Sequence, residues 1–419
     1  MSTIAYIANE FPSPVEPYVM DEIGELRRHG VEVVCCSGKR VAPHNLSLAE
    51  RAFWKETRFL QPLSDEELVR AAARLAADRH NLWHLLQPVL LQSGVPPGLR
   101  IRALGHTLMG AALAERLAPR NVQHIHCHHG YFASWMALVA ARLLGIGFSF
   151  TLHGSDLLQR ADLLGTKLRD CRFCLTVSDF NRQYIFRHYP AISAEKILVQ
   201  RLGVDRPSSP TDASSSSDGR RSFCLLAVGR LHRVKDYAFL IQACSALRVQ
   251  GVDFLCWIVG EGPERPALER QISRLGLQAH VHLIGHVPRE NLAGYYRHAD
   301  LVVMTSKSEG IPVALMEAMS HARLVLAPAI TGIPELVEHQ HTGFLYEPGS
   351  LSHFIGAIKW ICANQAALAV IRRAAAARVT DSYNRQRNLR AFAEQFLARI
   401  PQSGGAHAHP VLQQVRLSV

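Results

Sequence analysis

Short runs of β-branched and other apolar residues alternate with longer amphipathic segments along most of the chain. This alternation is typical of a doubly wound α/β fold with a mostly parallel sheet. Helical periodicity is clear in residues 22–29, 237–249 and 267–275. The predicted strands are residues 4–8, 31–36, 125–128, 148–153 and 173–177 in the first half, and 223–228, 254–259, 280–284, 301–304 and 324–328 in the second.

A polar segment rich in Ser and Pro, residues 206–220, separates the two halves and cannot form a core. Because 419 residues are too many for one core, the sequence predicts an N-terminal domain over 1–205 and a C-terminal domain over 221–385. Residues 386–401 are expected to form a helix that crosses back to the first domain, and 402–419 a flexible tail. Ligands of such sheets bind at the carboxyl ends of the strands, so the site is expected there.

Composition and charge restrict the class of protein. Nine dispersed cysteines without disulfide spacing, among them Cys171 and Cys174, fit a reducing cytoplasm. The chain start resembles a strand rather than a signal peptide, and Arg142 interrupts the longest apolar run. The formal net charge of +11 fits anionic small ligands or an anionic membrane, and equally a solvated basic surface. Nucleic acid is disfavoured, because no basic run with interleaved aromatic residues occurs.

Two turns follow predicted strands of the second half. After residue 228 come Gly229, Arg230 and, five residues further, Lys235. A guanidinium and an ammonium that converge suit a diphosphate, although two solvated basic residues are an equal alternative. The next strand ends in Gly260-Glu261-Gly262, where glycines would allow a ligand to approach the backbone.

A third loop carries two carboxylates. Pro312 is predicted to be the first residue of a helix, whose free amides would bind phosphate. Glu309 precedes this helix and Glu317 lies in its second turn. Carboxylates only accept hydrogen bonds, so they suit sugar or ribose hydroxyls. The alternative is that both are surface charges, but the almost wholly apolar helix around Glu317 argues against it.

These motifs, with Gly285-His286-Val287, Gly332-Ile333-Pro334-Glu335 and Thr342-Gly343, occur in an order that resembles the retaining GT-B glycosyltransferases of family 4, of the bacterial exopolysaccharide or lipid-linked oligosaccharide type. The resemblance is strong over residues 223–348 and weaker before 127. It implies two Rossmann-like domains that face each other across a cleft. It also implies that Arg230 and Lys235 bind the donor diphosphate, Glu309 the transferred sugar and Glu317 the ribose. The implied donor-binding residues are Gly229, Gly260, Gly262, His286, Val287, Gly310, Ile311, Pro312 and Glu317.

The first half adds His153-Gly154-Ser155-Asp156 directly after a predicted strand. It resembles the His-Gly-x-Asp segment of the family, which makes His153 catalytic together with Arg230, Lys235 and Glu309. The alternative is a histidine that only caps a turn. The loop from Asn9 to Val19 lacks the Gly-Gly of many relatives, although Glu16 is retained.

Histidines also cluster in the segment His124-Ile-His-Cys-His-His129. Strand alternation would point His124, His126 and His128 to one side and His129 to the other. The family has a His-x-His here without metal, so a structural role is preferred over a metal site.

The predicted function is therefore metal-independent, retaining transfer of a hexose-type sugar from a nucleoside diphosphate sugar to a hydroxyl of a glycan or lipid-linked acceptor. No cofactor is expected, and the predicted location is the cytoplasm, at the inner face of the membrane. An amphipathic surface within 81–119, with Arg100, Arg102 and Arg116, could contact anionic lipid, or could be helices packed on the sheet. The rival functions are a non-catalytic nucleotide-sugar-binding subunit and a GT-B relative that performs phosphorolysis or epimerisation.

Overall fold

The computed structural model describes residues 2–14, 16–91, 96–159, 161–207 and 222–400. Its strands are β1 Thr3–Glu10, β2 Glu32–Lys39, β3 Arg58–Phe59, β4 His124–His128, β5 Gly147–Leu152, β6 Phe173–Thr176, β7 Ile197–Val199, β8 Phe223–Val228, β9 Phe254–Val259, β10 Val281–Gly285, β11 Leu301–Val303, β12 Leu324–Pro328 and β13 Phe344–Tyr346. Its α-helices are α1 Pro17–Arg28, α2 Leu48–Glu56, α3 Asp65–Ala77, α4 Arg79–Leu91, α5 Pro97–Leu117, α6 Phe132–Leu144, α7 Ser155–Leu158, α8 Leu164–Asp170, α9 Asp179–His188, α10 Tyr237–Val249, α11 Arg265–Arg274, α12 Arg289–His298, α13 Val313–Ser320, α14 Ile333–Leu336, α15 Leu351–Ala363, α16 Ala369–Ser382 and α17 Arg385–Leu397.

Within these described ranges the strands form two sheets, as the alternation predicts. The first has seven strands in the order β3-β2-β1-β4-β5-β6-β7, and the second has six in the order β10-β9-β8-β11-β12-β13. Pairing is parallel, with Ile4 opposite both Val33 and His124 in the first sheet. In each sheet the order reverses beside the first strand, which is where open α/β sheets bind ligands.

The chain divides into two compact units. Unit 1 comprises Met1–Phe150, Thr166–Phe173 and Phe392–Val419, and unit 2 comprises Thr151–Gly165 and Cys174–Ala391. The boundary after Ala391 falls inside α17, the helix expected near 386–401. Residues 208–220 of the predicted linker and the predicted tail from 402 lie outside the described residues.

The sheet of unit 2 is covered on both faces, which explains why its strands are continuous apolar runs. Successive residues of β8 belong to different cores: Leu225 packs with α10, α11 and α15, whereas Leu226 packs with α13 and α16. Both side chains are fully buried. The strand ends are thereby held rigidly, and the loops that follow them carry the polar residues of the site.

No described helix of the chain is long and apolar enough to cross a membrane. Cys171 and Cys174 are both buried, and their thiols donate to the carbonyls of Leu168 at 3.2 Å and Leu175 at 3.5 Å.

Candidate functional site

The loop after β8 presents one cation to solvent. Gly229 adopts φ 157°, and its carbonyl accepts a hydrogen bond from the Tyr237 hydroxyl at 3.1 Å. The side chain of Leu231 is fully buried in the core of unit 2 and so fixes the loop to the sheet. Arg230, between them, is exposed, and its guanidinium has no ion-pair partner among the described residues. It is therefore available to an anionic ligand.

Lys235, in contrast, is already paired. A short 3-10 helix over Arg233–Lys235 brings its Nζ to 2.6 Å from Glu309 Oε1, and both side chains are mostly buried. The loop after β11 is fixed to this turn, because Thr305 Oγ1 donates to the Lys235 carbonyl at 2.8 Å. The residues predicted to bind diphosphate and sugar thus lie in direct contact, which sequence spacing did not reveal.

Helix α13 begins at Val313, with Pro312 as its N-cap, one residue later than predicted. The prediction was wrong in this detail because Pro312 has an extended ψ of 121° and therefore lies just before the helix. Its carbonyl accepts the first hydrogen bonds of the helix, from the amides of Leu315 and Met316. The amides of Val313 and Ala314 have no hydrogen-bond partner in the described parts of the chain. The start of α13 consequently offers two free N–H groups and the positive end of the helix dipole.

Glu317 is held by two residues that sequence analysis missed. Its Oε2 accepts the Tyr296 hydroxyl at 2.9 Å, and its Oε1 lies 3.3 Å from Arg289 Nε. Tyr296 is fully buried, and burial, followed by the Glu317 charge, raises the pKa of its phenol well above the usual value. The phenol therefore stays a neutral donor that orients the carboxylate.

His153 lies in a turn organised by a buried carboxylate. Asp156 Oδ1 accepts the backbone amides of His153 at 3.0 Å and Gly154 at 2.8 Å. This turn packs closely against Gly310. A Cβ added at Gly310 would lie only 1.9 Å from the His153 carbonyl oxygen. On the other side of the same peptide, a Cβ at Gly332 would lie 2.2 Å from the Gly310 carbonyl oxygen. Because Gly310 and Gly332 have no side chains, the loops that carry His153, Gly310 and Gly332 can pack directly on one another. This packing places His153 beside the segment that carries Glu309.

The glycines after β9 have a physical cause other than ligand approach. A Cβ at Gly260 would lie 2.0 Å from the Gly229 carbonyl oxygen, and one at Gly262 would lie 2.3 Å from that of Leu231. The amide of Leu231 also donates to Glu261 at 2.8 Å. Loop-to-loop packing therefore suffices to require glycine at both positions, and a donor contact there stays a prediction.

The remaining predicted donor-binding residues are His286 and Val287, which follow β10, and Ile311, which precedes α13. Gly285 bonds the amide of Gly260, so the segment after β10 adjoins the same edge of the sheet. His286, which follows it, is exposed, Val287 is half-buried, and Ile311 is buried beneath the start of α13.

The histidines of β4 form a buried network in unit 1. His124 and His126 both contact the Ser149 hydroxyl, at 2.7 and 2.8 Å, and His128 Nε2 lies 3.0 Å from Glu22. Burial, and then the charge of Arg172, lowers the pKa of His124 to about 3, so it is neutral.

His129 follows the end of β4, adopts φ 70°, and contacts Glu16 at 2.8 Å, so the alternation expected of a strand does not extend to it. Glu22, His126 and His128 have ligand atoms within 4.8 Å of one another and are the one metal-type cluster found among the described residues. The Tyr6 hydroxyl also donates to Glu22 at 2.8 Å. Hydrogen bonds therefore account for this cluster as a structural network.

The fold and these loops define a glycosyltransferase of the GT-B type. Residues 15–206 match the family described as Glycosyltransferase Family 4, and residues 212–378 match Glycosyl transferases group 1. The chain belongs to the GT4-type GT-B glycosyltransferases, which confirms the predicted family and its two Rossmann-like parallel-sheet domains.

The chain is also similar to individual glycosyltransferases of known name. The chain is similar to the amylovoran biosynthesis glycosyltransferase AmsK of Erwinia amylovora, at 26% identity over 93% of this chain and 98% of that protein. A putative colanic acid biosynthesis glycosyltransferase, WcaL of Escherichia coli, is 35% identical over 36% of this chain and 38% of its own. Among solved structures, Alr3699/HepE of Anabaena, in complex with UDP and glucose, has a TM-score of 0.68 at 19% identity, covering 95% of this chain and 100% of that one.

Proposed function

We propose that the chain transfers a hexose-type sugar, with retention of anomeric configuration, from a nucleoside diphosphate sugar to a hydroxyl of a glycan or lipid-linked acceptor. The observation that carries the proposal is that Arg230 and Lys235 follow β8, while the two free amides of α13 follow the adjacent parallel strand β11, at one edge of the unit 2 sheet. The proposed product is a bacterial cell-surface polysaccharide or glycolipid; the similar proteins AmsK and WcaL are named for amylovoran and colanic acid biosynthesis.

The three positive groups suit a leaving diphosphate. Cleavage of the sugar–phosphate bond leaves negative charge on the β-phosphate, and donors fixed in advance stabilise such charge most effectively. Arg230 offers a planar fork, Lys235 a point charge and α13 its amides. These groups replace the charge that a divalent cation would supply, so the reaction is proposed to be metal-independent. Turnover that survives EDTA and is not raised by added Mg²⁺ or Mn²⁺ would agree, whereas loss with EDTA would contradict it.

The carboxylates suit the sugar units of the donor. Glu309, oriented by Lys235, accepts hydroxyls of the transferred sugar, and Glu317, oriented by Tyr296, accepts hydroxyls of the ribose. The backbone of residues 285–287 lines the base, and His153 contacts the sugar near the bond that breaks. A structure of HepE contains UDP-glucose, so UDP-glucose is the first donor to test.

If the anomeric configuration is retained and no carboxylate is free to act as a nucleophile, the acceptor hydroxyl is expected to attack from the face that the leaving group occupies. Asp156 is bound by two amides, Glu309 by Lys235, and Glu317 by Tyr296. None of the three is an unengaged nucleophile, so the leaving phosphate itself is proposed to assist the acceptor hydroxyl. Proton NMR of the first product formed reads the anomeric configuration, and an inverted product would contradict the mechanism.

The decisive experiment compares Arg230→Ala with Arg233→Ala. Both side chains are exposed, but Arg233 is paired with Glu264, whereas Arg230 has no ion-pair partner among the described residues. Loss of one charge-stabilising donor costs about 10²–10³-fold in kcat. Arg230→Ala and Lys235→Ala should show that loss, whereas Arg233→Ala should stay near wild type. Near-wild-type turnover of Arg230→Ala would refute the assignment.

The rival functions give different results in the same preparation. A non-catalytic subunit would bind UDP-glucose, seen as thermal stabilisation, yet release no UDP from it even with acceptor. A phosphorylase would release sugar phosphate only when inorganic phosphate is added. The transferase should release UDP without phosphate. We place the enzyme in the cytoplasm at the inner face of the membrane, where lipid-linked acceptors are accessible.

A further inference from the structure

Exposed apolar side chains are concentrated on two helices of unit 1. The large hydrophobic residues exposed on α4 and α5 are Trp83, Leu90, Leu91, Ile101 and Leu104. The other exposed large hydrophobic residues occur singly on six helices, as Leu48, Val69, Phe180, Val249, Trp360 and Val370. Single exposed apolar residues are normal on a protein surface, whereas a group of them marks an interaction site.

The helical register places this apolar group on continuous stripes. On α4, residues 80, 83, 84, 87, 90 and 91 are exposed, while Leu85 and Val89 are buried. On the first half of α5, residues 97, 98, 101, 104 and 105 are exposed, while Ala103 is buried. Each helix already covers the core with its other face, so the exposed stripe is not needed for folding of unit 1.

The same surface carries positive charge and no negative charge of its own. Residues 79–114 contain three arginines and three histidines, but no aspartate or glutamate. The Arg100 guanidinium donates to the Leu90 carbonyl at 2.5 Å and so ties α5 to the last turn of α4. Arg79 and Arg102 are exposed beside the apolar stripes. A surface that combines Trp, Leu and Ile with arginines matches an anionic bilayer interface in both polarity and charge.

We propose that the exposed faces of α4 and α5, defined by Arg79, Trp83, Leu90, Leu91, Ile101 and Arg102 and called here the α4–α5 surface, dock the enzyme on an anionic phospholipid bilayer. This inference rests on the proposed function, because it identifies how a transferase would reach a lipid-linked acceptor. Trp83 and the aliphatic residues enter the headgroup region, and the arginines contact lipid phosphates. The helices lie on the membrane and do not span it.

The test is flotation of the full chain with vesicles of phosphatidylglycerol and phosphatidylcholine, compared with vesicles of phosphatidylcholine alone. Wild type should float with the anionic vesicles only, and high salt should weaken its binding. The double variant Arg79→Gln/Arg102→Gln should bind roughly thirtyfold more weakly, because each basic residue contributes about fivefold near an anionic surface. The matched control Arg270→Gln/Arg274→Gln removes the same charge from exposed positions of α11 and should bind like wild type.

A second pair of variants tests the apolar contribution. Leu91→Glu/Ile101→Glu changes residues that are 63% and 71% exposed, and Val249→Glu/Val370→Glu changes residues of unit 2 that are 80% and 64% exposed. The first pair should lose flotation by more than thirtyfold. The second pair should bind like wild type, because Val249 and Val370 are not part of the α4–α5 surface. Equal losses in both pairs, or no flotation of wild type, would overturn the proposal.

Two readouts separate this inference from other outcomes. Thermal stabilisation by UDP-glucose, measured without vesicles, should be the same in wild type and the α4–α5 variants. Loss of that stabilisation in every protein would refute the proposed function, whereas unchanged stabilisation without flotation would refute only the docking surface. Sedimentation that shows a wild-type dimer made monomeric by Leu91→Glu/Ile101→Glu, without vesicle binding, would assign the surface to a second copy and overturn the membrane proposal.

Discussion

Gly310 is the position where one added methyl group should disturb the candidate site most. Its φ lies outside the left-handed region that favours glycine, so alanine would introduce no backbone strain. The obstacle is steric: the new Cβ would lie 1.9 Å from the His153 carbonyl oxygen and 2.8 Å from a Val177 methyl group. Ordinary contact begins near 3.4 Å, so the two loops must separate by about 1.5 Å.

That separation allows the effects to be estimated. Overpacking costs about 1–3 kcal/mol, and the upper end applies because the clash is with backbone rather than with the end of a flexible side chain. Displacement of a reacting group by about 1 Å costs roughly 10²-fold in rate. Gly310→Ala should therefore lower the free energy of unfolding by about 3 kcal/mol and kcat/KM by about a hundredfold.

Gly294→Ala is the matched control. Gly294 lies in α12, and a Cβ added there would have no atom within 4 Å, so alanine should stabilise the helix by up to about 1 kcal/mol and leave turnover unchanged. Urea unfolding and UDP release from UDP-glucose measure both quantities. If Gly310→Ala unfolds within about 0.5 kcal/mol of wild type and retains full turnover, the packing of the His153 turn against the Glu309 loop is refuted.

Three other substitutions test separate parts of the same structure. Gly260→Ala should destabilise the chain by about 3 kcal/mol or more in urea unfolding, because its Cβ would lie 2.0 Å from the Gly229 carbonyl oxygen and its φ is 144°; a neutral result would contradict the loop packing. Tyr296→Phe removes the buried donor to Glu317, so it should cost about 1–3 kcal/mol and raise the KM for the donor more than it lowers kcat; an unchanged KM would argue against ribose binding. His124 is buried and neutral, with a pKa lowered to about 3, whereas the unfolded chain protonates it near 6.5. The folded state therefore loses stability as the pH falls below about 6.5, because only the unfolded chain takes up the proton. His124→Gln should reduce the slope of the unfolding free energy against pH in this acid range by up to about 1.4 kcal/mol per pH unit. An unchanged slope would show that His124 is charged in the folded state.

The long strands could be predicted from the sequence because they are buried on both faces. The predicted ranges 223–228, 254–259 and 324–328 coincide with β8, β9 and β12. The strands that were missed are β3, β7 and β13, which have two or three residues each. Runs this short contain no measurable period, and their pairing is decided by the neighbouring strand rather than by their own residues.

The loops that follow the strands could also be located, but the contacts within them could not. Tyr296 reaches Glu317 from 21 positions away, and Lys235 reaches Glu309 from 74. Neither distance has a signature in local sequence, because such pairs form only when separate strands of a sheet come together. For the same reason glycine at 260 and 262 was attributed to ligand approach, when packing against the adjacent loop already requires it.

The pairing of Lys235 with Glu309 changes what each residue can contribute to the reaction. At 2.6 Å from Glu309, Lys235 has two roles in the proposal, because the ammonium that faces the phosphate also orients the carboxylate proposed to bind the sugar. Arg230 has no such second role, since it has no ion-pair partner among the described residues. Arg230→Ala should therefore weaken UDP and UDP-glucose by the same factor. Lys235→Ala should weaken UDP-glucose more than UDP, because it also releases Glu309, and isothermal titration of both ligands measures the ratio. Equal weakening by Lys235→Ala would show that Glu309 does not contact the sugar through this pair.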